Sequence, residues 1–322
     1  MNHLYSRRQL LAAVAAGTIA GHPAAHAAEK KPLRGVFPIV ATPYTLQNEV
    51  DYEDLVREVE FMDRCGAHGM VWPQSASECT FLTKEERLRG MRVLAKAAKG
   101  KKPALVLGIQ GPNLKAALEY LAVAEELAPD AIIAMPPTEA KSLDDYRHYY
   151  RTLIPLAKRP FFIQTTSGAK DVDPTVDFII ELSKEFPNFG YVKEEHSPVF
   201  ERIAKLVANR PVIKGVFSGP VGTYEMRLGC DGAMPAATHP DADAQMWNLY
   251  QAGQLAKARE IYGNILLMTN TAQQIPGTRQ YLMKKRGVFK TTMSRREKFT
   301  LTPEAIKEID FNFESLRPYL KA

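Results

Sequence analysis

Short apolar runs alternate with longer amphipathic stretches along most of the chain, and this alternation limits the fold more than any other feature. The runs are GVFPIVATP from Gly35, HGMVWP from His68, PALVLGI from Pro103 and DAIIAMPP from Asp130. They continue with PFFIQTT from Pro160, FGYVKEE from Phe189, VIKGVFSG from Val212 and DGAMPA from Asp231. Continuous Val, Ile and Phe suits parallel strands that are covered on both faces. Eight strand–helix units in one chain predict a (β/α)8 barrel. The competing arrangement is an open, doubly wound sheet. It normally uses fewer strands and a glycine-rich first turn, whereas the first turn here reads ATPYTLQNE.

The stretches between runs carry helix signals. Thr83 with Glu86 forms a capping box. Asp173-Pro174 and Ser197-Pro198 each place a capping side chain before a proline, which predicts helix starts there. Leu55, Val59 and Met62 recur at helical spacing, as do Leu114, Leu118 and Leu121. Residues 28–240 are therefore read as the barrel, and residues 241–322 as a helical extension packed on it.

The N-terminus reads differently. Arg7 and Arg8 precede an alanine-rich apolar run, and Ala25-His26-Ala27 has the small-x-small pattern of a cleavage site. Paired arginines in SRRQLL resemble a twin-arginine export signal, so residues 1–27 predict delivery to the periplasm. An ordinary secretory signal or a surface helix is the alternative. The run is too short and too weakly apolar for a membrane span. Setting it aside leaves 40 basic residues (42 less Arg7 and Arg8) against 36 acidic ones, a mild +4. No basic run marks a nucleic-acid partner. Cys65, Cys79 and Cys230 form no C-x-x-C pair, and their apolar or small-residue surroundings predict buried free thiols. His148 falls mid-helix, and no H-x-x-x-H or acidic cluster has ligand spacing, so neither a metal nor another cofactor is expected.

Active sites of such barrels lie at the C-terminal ends of the strands. Lys193 ends the sixth run, which turns an unremarkable strand-end lysine into a candidate pocket residue. Side chains alternate along a strand, so Glu195 shares its side. His196 and His239, at later strand ends, titrate near neutrality and serve either structure or proton transfer. FSGPVG, Phe217 to Gly222, opens a helix whose amides suit an anion, although its glycines equally serve the turn.

At this point the residues resemble a known family. GVFPIVATPYTLQNEVDYEDLVREVEFMDRCGAHGMVW, YVKEE and GCDGAMPA are similar to stretches of the dihydrodipicolinate synthase / N-acetylneuraminate lyase superfamily, and the likeness covers nearly all of the chain after the signal. The resemblance implies a barrel whose strand-six lysine, here Lys193, forms a Schiff base with a 2-oxo acid such as pyruvate, with no cofactor. It also implies a dimer or tetramer. The family's G-T-T-G-E loop appears as QSASE, with Ser75 keeping one hydroxyl, Ala76 losing the other and Glu78 retained. Ser75 and Ser77, with loop amides, suit a carboxylate, and Glu78 is either a pocket residue or a loop anchor. Gln164 stands where the family has a proton-shuttling tyrosine, and it cannot titrate. Ala169 stands where the synthases have a substrate-binding arginine, with Lys170 beside it as a replacement charge. The tyrosine pair after strand four is replaced by MPPTEA. These departures point away from dihydrodipicolinate synthesis and ordinary neuraminate cleavage.

The catalytic set is accordingly read as Lys193, Gln164, Ser75 and Glu195. Substrate contacts are assigned to Thr42, Gln74, Ser77, Glu78, Thr165, Lys170, Ser218, Gly219 and Met234. The expected activity is a Schiff-base lyase or hydratase acting on pyruvate or a keto-deoxy sugar acid. Two alternatives stay open: a periplasmic barrel that binds such acids without turnover, and a metal-dependent aldolase built on His196, His239 and Glu195.

Overall fold

The computed structural model describes residues 31–321, so the export signal read at residues 1–27 lies outside the described residues. All eight apolar runs contain parallel strands. They are β1 (Gly35–Val36), β2 (Gly69–Trp72), β3 (Ala104–Gly108), β4 (Ala131–Ala134), β5 (Phe161–Gln164), β6 (Tyr191–Glu194), β7 (Gly215–Ser218) and β8 (Gly232–Ala233). β1 pairs with β8, β8 with β7, and so on round to β2. Ile39, just past β1, bridges both Val71 and Ala236, which all but closes the ring. The result is a (β/α)8 barrel.

Helices α1 (Tyr52–Cys65), α2 (Lys84–Ala97), α3 (Leu114–Leu127), α4 (Leu143–Leu153), α5 (Val176–Glu185), α6 (Val199–Ala208) and α7 (Thr223–Leu228) connect successive strands. The capping box at Thr83 and Glu86 forms as read, at 3.1 and 2.9 Å. Two other starts differ. Thr175, not Asp173, accepts from the Phe178 amide and caps α5. Pro198 itself stands at the cap position of α6, one residue past the serine. Proline marked the neighbourhood of each start, but not the residue whose geometry opens it.

Alternation along each strand sorts the side chains. Phe37, Val71, Val106, Ile133, Phe162 and Phe217 fill the barrel interior, with Phe217 edge-on to Phe37 and Phe162 at 5.2 Å. Ile163, Val192 and Val216, one residue out of phase, pack under the helices. Beyond β8 come α8 (Pro240–Gln251), α9 (Leu255–Gln274), α10 (Thr278–Lys285) and α11 (Pro303–Glu314). Met246, Trp247, Ile261, Leu282 and Phe313 form their shared core, and it continues into Val36 and Ala233 of the barrel. Burying each such side chain contributes about 1.5–3 kcal/mol, so these helices are welded on rather than loosely attached. All three cysteines are free and buried, as expected. Among the described residues no helix is long and apolar enough to cross a membrane.

The segment between α10 and α11 is strapped across the barrel mouth. The Lys290 ammonium reaches Asp51 at 2.9 Å and Glu53 at 2.6 Å. Thr291 donates to the Tyr44 carbonyl at 2.5 Å, and Arg295 pairs with Glu86 at 2.7 Å. Glu78 accepts from the Ser294 hydroxyl and from the amides of Arg295 and Arg296, at 2.6, 2.9 and 3.1 Å.

Candidate active site

Strand register builds the centre of the site. Gln164 on β5 lies opposite Lys193 on β6, which lies opposite Phe217 on β7. These three share the inward phase, so Lys193 emerges just above the aromatic plug. The lysine is only 2% exposed. Its ammonium reaches Glu195 Oε2 at 2.9 Å and donates to Gln164 Oε1 at 3.4 Å. The Gln164 amide donates to Thr166 Oγ1 at 3.2 Å, and that hydroxyl donates to Glu195 Oε2 at 3.2 Å. The four side chains therefore close a ring. Burial pushes the lysine below the ordinary lysine range, while the Glu195 carboxylate holds it back.

The neighbouring glutamate has the opposite fate. Glu194, one residue out of phase, points under the helices and is fully buried. It accepts from Thr165 Oγ1 at 2.6 Å and the His196 amide at 2.8 Å, and meets the Arg202 guanidinium at 3.1 Å. It is thus removed from the lysine and separately paired. Glu195 lies so close to Gly219 that a Cβ there would stand 2.5 Å from its Oε1. Glycine at 219 is what leaves room for the carboxylate.

Lys193 opens into a cavity of about 640 Å³. Of the residues assigned from sequence, Ser75, Gln164, Lys193, Glu195, Gly219 and Met234 line it. Ser75 Oγ bonds across to Ser167 Oγ at 2.9 Å, joining the loops after β2 and β5. Ser167 sits in the left-handed region at φ 66°, a conformation that costs a non-glycine residue energy and aims its hydroxyl at Ser75.

The other assigned residues lie elsewhere, each for a visible reason. Thr165 is out of phase and clamps Glu194. Ser218 turns back on the Pro220 carbonyl at 2.8 Å. Gln74 is buried against Gln110, and Ser77 donates to the Val40 carbonyl at 2.5 Å. Thr42 and Glu78 border a small side pocket, with Thr42 bonded to the Ser77 carbonyl and Glu78 anchoring the strap. Lys170 lines a separate outer cavity with His196, which faces Asp173 at 3.4 Å.

His239 does line the Lys193 cavity, and its Nδ1 is held by Asp243 at 3.1 Å. Burial opposes its charged form, but Asp243, with Asp241 behind it, outweighs that and raises its affinity for the proton. His196 and His239 therefore belong to different cavities, and the arrangement His196, His239, Glu195 is not assembled. Among the described residues no group of three or more His, Cys, Asp or Glu is placed to hold a metal ion.

Thr166, Ser167, Arg279 and Arg296 are among the lining residues not singled out from sequence. Thr166 follows from the same alternation that gave Glu195, since it continues β5 in the inward phase. The arginines carry no such signal, because α10 and the strap bring them in from far along the chain.

The 4-hydroxy-tetrahydrodipicolinate synthase of Chlorobium luteolum is 27% identical over 271 residues, covering 81% of this chain and 90% of that protein. The synthase of Parabacteroides distasonis is 26% identical over 236 residues, covering 71% and 78%. Among solved structures, dihydrodipicolinate synthase from Rhodopseudomonas palustris superposes with a TM-score of 0.78 at 22% identity, covering 88% of this chain and 97% of that one. CdNal from Clostridium difficile, solved in complex with mannosamine, gives 0.78 at 21% identity, covering 90% and 100%. Identities this low speak to fold alone for the solved structures. The model of the dihydrodipicolinate synthetase family, however, matches residues 32–311, and the chain belongs to that family as a divergent lyase of the aldolase type.

Proposed function

We propose that Lys193 forms a Schiff base with a 2-oxo acid and that Glu195 moves the protons. One observation carries this reading: a buried lysine, its proton affinity lowered by burial, meets a carboxylate at 2.9 Å on the floor of an open cavity. An amine attacks a carbonyl only when neutral, and at the reference pKa of about 10.4 that form is scarce at neutral pH. Burial makes it more abundant, and Glu195 accepts the proton that leaves.

The steps are redox-neutral. The neutral Nζ adds to the C2 carbonyl, and Glu195 returns a proton to the resulting hydroxyl, which departs as water. The iminium then draws electrons from a bond on the neighbouring carbon, either C3–C4 or C3–H. Cleavage of C3–C4, as Glu195 takes the proton of the C4 hydroxyl, releases an aldehyde and leaves an enamine that is then protonated at C3. Loss of the C3 proton instead gives an enamine that expels the C4 hydroxyl as water, with the proton returned by Glu195. In both branches addition of water to the resulting iminium frees the lysine. Gln164, which cannot titrate, orients the lysine and the bound acid. Ser75 and Ser167 offer hydroxyls to the acid's carboxylate. Pyruvate and keto-deoxy sugar acids both present the required 2-oxo acid head.

Borohydride reduction tests this. Incubation with pyruvate and borohydride should leave a reduced adduct on Lys193, absent from Lys193→Arg. If surface lysines react as readily as Lys193, the imine reading fails. An adduct without turnover of any 2-oxo acid would instead favour a barrel that binds without catalysis.

A further inference from the structure

The cavity is far larger than a three-carbon acid fills. At about 640 Å³ it falls in the range, roughly 300–1,000 Å³, that encloses drug-sized ligands. Its charged lining residues are Lys193, Glu195, His239, Asp243, Arg279 and Arg296. Four of these are partnered, Lys193 with Glu195 at 2.9 Å and His239 with Asp243 at 3.1 Å. Among the described residues the two arginines have no such carboxylate partner. Arg279, on the first turn of α10, forms no hydrogen bond or ion pair among the described residues. Arg296, on the strap, gives a side-chain hydrogen bond to the Ser75 carbonyl and has no carboxylate partner among the described residues.

Both arginines also border the small side pocket, where Glu78 and Glu297 are the acidic neighbours. Glu78 is already saturated by the three strap donors, at 2.6, 2.9 and 3.1 Å. Glu297 is exposed, and among the described residues neither glutamate forms an ion pair with the guanidinium of Arg279 or Arg296. Among the described residues no carboxylate of the Lys193 cavity forms an ion pair with either guanidinium. Arginine is suited to binding carboxylates through two parallel hydrogen bonds.

We infer that the substrate is a 2-oxo acid with a second anionic group, and that Arg279 and Arg296 bind that group. This rests on the reading of Lys193 as the imine-forming residue. It adds a second recognition point in the same cavity, whose lining also includes Met234, Ile265 and Leu282 as apolar surface for the carbon chain. Ala169, at the position where the family's synthases carry an arginine, leaves β5 without such a charge. α10 and the strap supply it instead.

The test compares 2-oxoadipate with 2-oxohexanoate, which differ only in carrying a carboxylate or a methyl at the far end. Each is titrated against the full chain with borohydride, and labelling of Lys193 is read by mass spectrometry. The dianionic acid should half-label at a concentration lower by about tenfold or more, the usual effect of a hydrogen bond between charged groups. In Arg279→Gln/Arg296→Gln the ratio between the two acids should fall close to one. Equal labelling in the unaltered protein, or a ratio that survives in the double variant, would overturn the inference while leaving the Lys193 reading intact. Should neither acid label Lys193, that reading fails, and glutarate, which has no carbonyl, decides the arginines separately by calorimetry. Binding of glutarate but not valerate, lost in the double variant, supports the anion site; no glutarate binding refutes it.

Discussion

Replacing Glu195 with glutamine examines the balance that sets Lys193. The substitution keeps the shape and an oxygen acceptor for Thr166 but removes the charge beside the lysine. At 2.9 Å, with an effective dielectric of about 20, the Coulomb attraction has a ceiling near 6 kcal/mol. The Glu195 side chain is 29% exposed, so solvent screens much of that. Exposed pairs are worth about 0.2–1 kcal/mol and breaking buried ones costs about 3–5 kcal/mol, which brackets this half-open pair at about 1.5–3 kcal/mol. That energy now favours the ammonium. Its loss should raise the neutral amine at fixed pH by roughly ten- to hundredfold, until the lysine is fully deprotonated. Single-turnover trapping of pyruvate, followed from pH 5 to pH 10, should therefore reach half-maximum at lower pH in Glu195→Gln. Multiple turnover should fall, because water and the enamine lose their proton donor. A trapping midpoint that stays put or moves upward would refute the assignment of Glu195 as the charge holding the lysine.

Other expectations follow from the same contacts. Arg202→Met strands the buried Glu194 carboxylate without its guanidinium, so unfolding in urea should show about 3–5 kcal/mol less stability. His239 binds its proton more tightly in the folded state, so its stabilising contribution is complete below the unfolded value near 6.5. That contribution is lost as pH rises through the higher folded value. His239→Gln should flatten thermal stability across that window, and a pH dependence identical to the parent's would discount the Asp243 pairing. Export through the twin-arginine route is also proposed, from Arg7 and Arg8. Changing both to lysine should leave the protein in the cytoplasm, and unchanged periplasmic recovery would refute it.

The strands and the lysine were legible because both follow from local rules: continuous apolar runs give buried parallel strands, and period-two alternation places Glu195 with Lys193. The same rule, applied one residue along, would have turned Thr165 outward and brought Thr166 in. Thr42, Gln74 and Ser77 sit where loops approach the mouth, but hydrogen bonds formed on folding, such as Ser77 to Val40, spend their polar atoms on the framework. Lys170 follows a turn that carries it outside, which no spacing along the chain reveals. The arginines are the extreme case. Arg296 and the Ser75 carbonyl it touches are 221 residues apart, so only the folded chain shows them as neighbours.

The strap divides labour along the polypeptide. The proposed bond-making is written into β6, whose register with β5 and β7 tolerates no insertion, since one residue's slip would turn Lys193 under the helices and Glu194 inward. The proposed selectivity lies partly in residues 286–302, an irregular stretch that meets the barrel through side-chain bonds to Asp51, Glu78 and Glu86. Irregular stretches of this kind absorb changes of length and composition that strands cannot. A lineage could therefore alter what this enzyme accepts by rewriting the strap between its anchors, leaving the reactive amine and its carboxylate untouched.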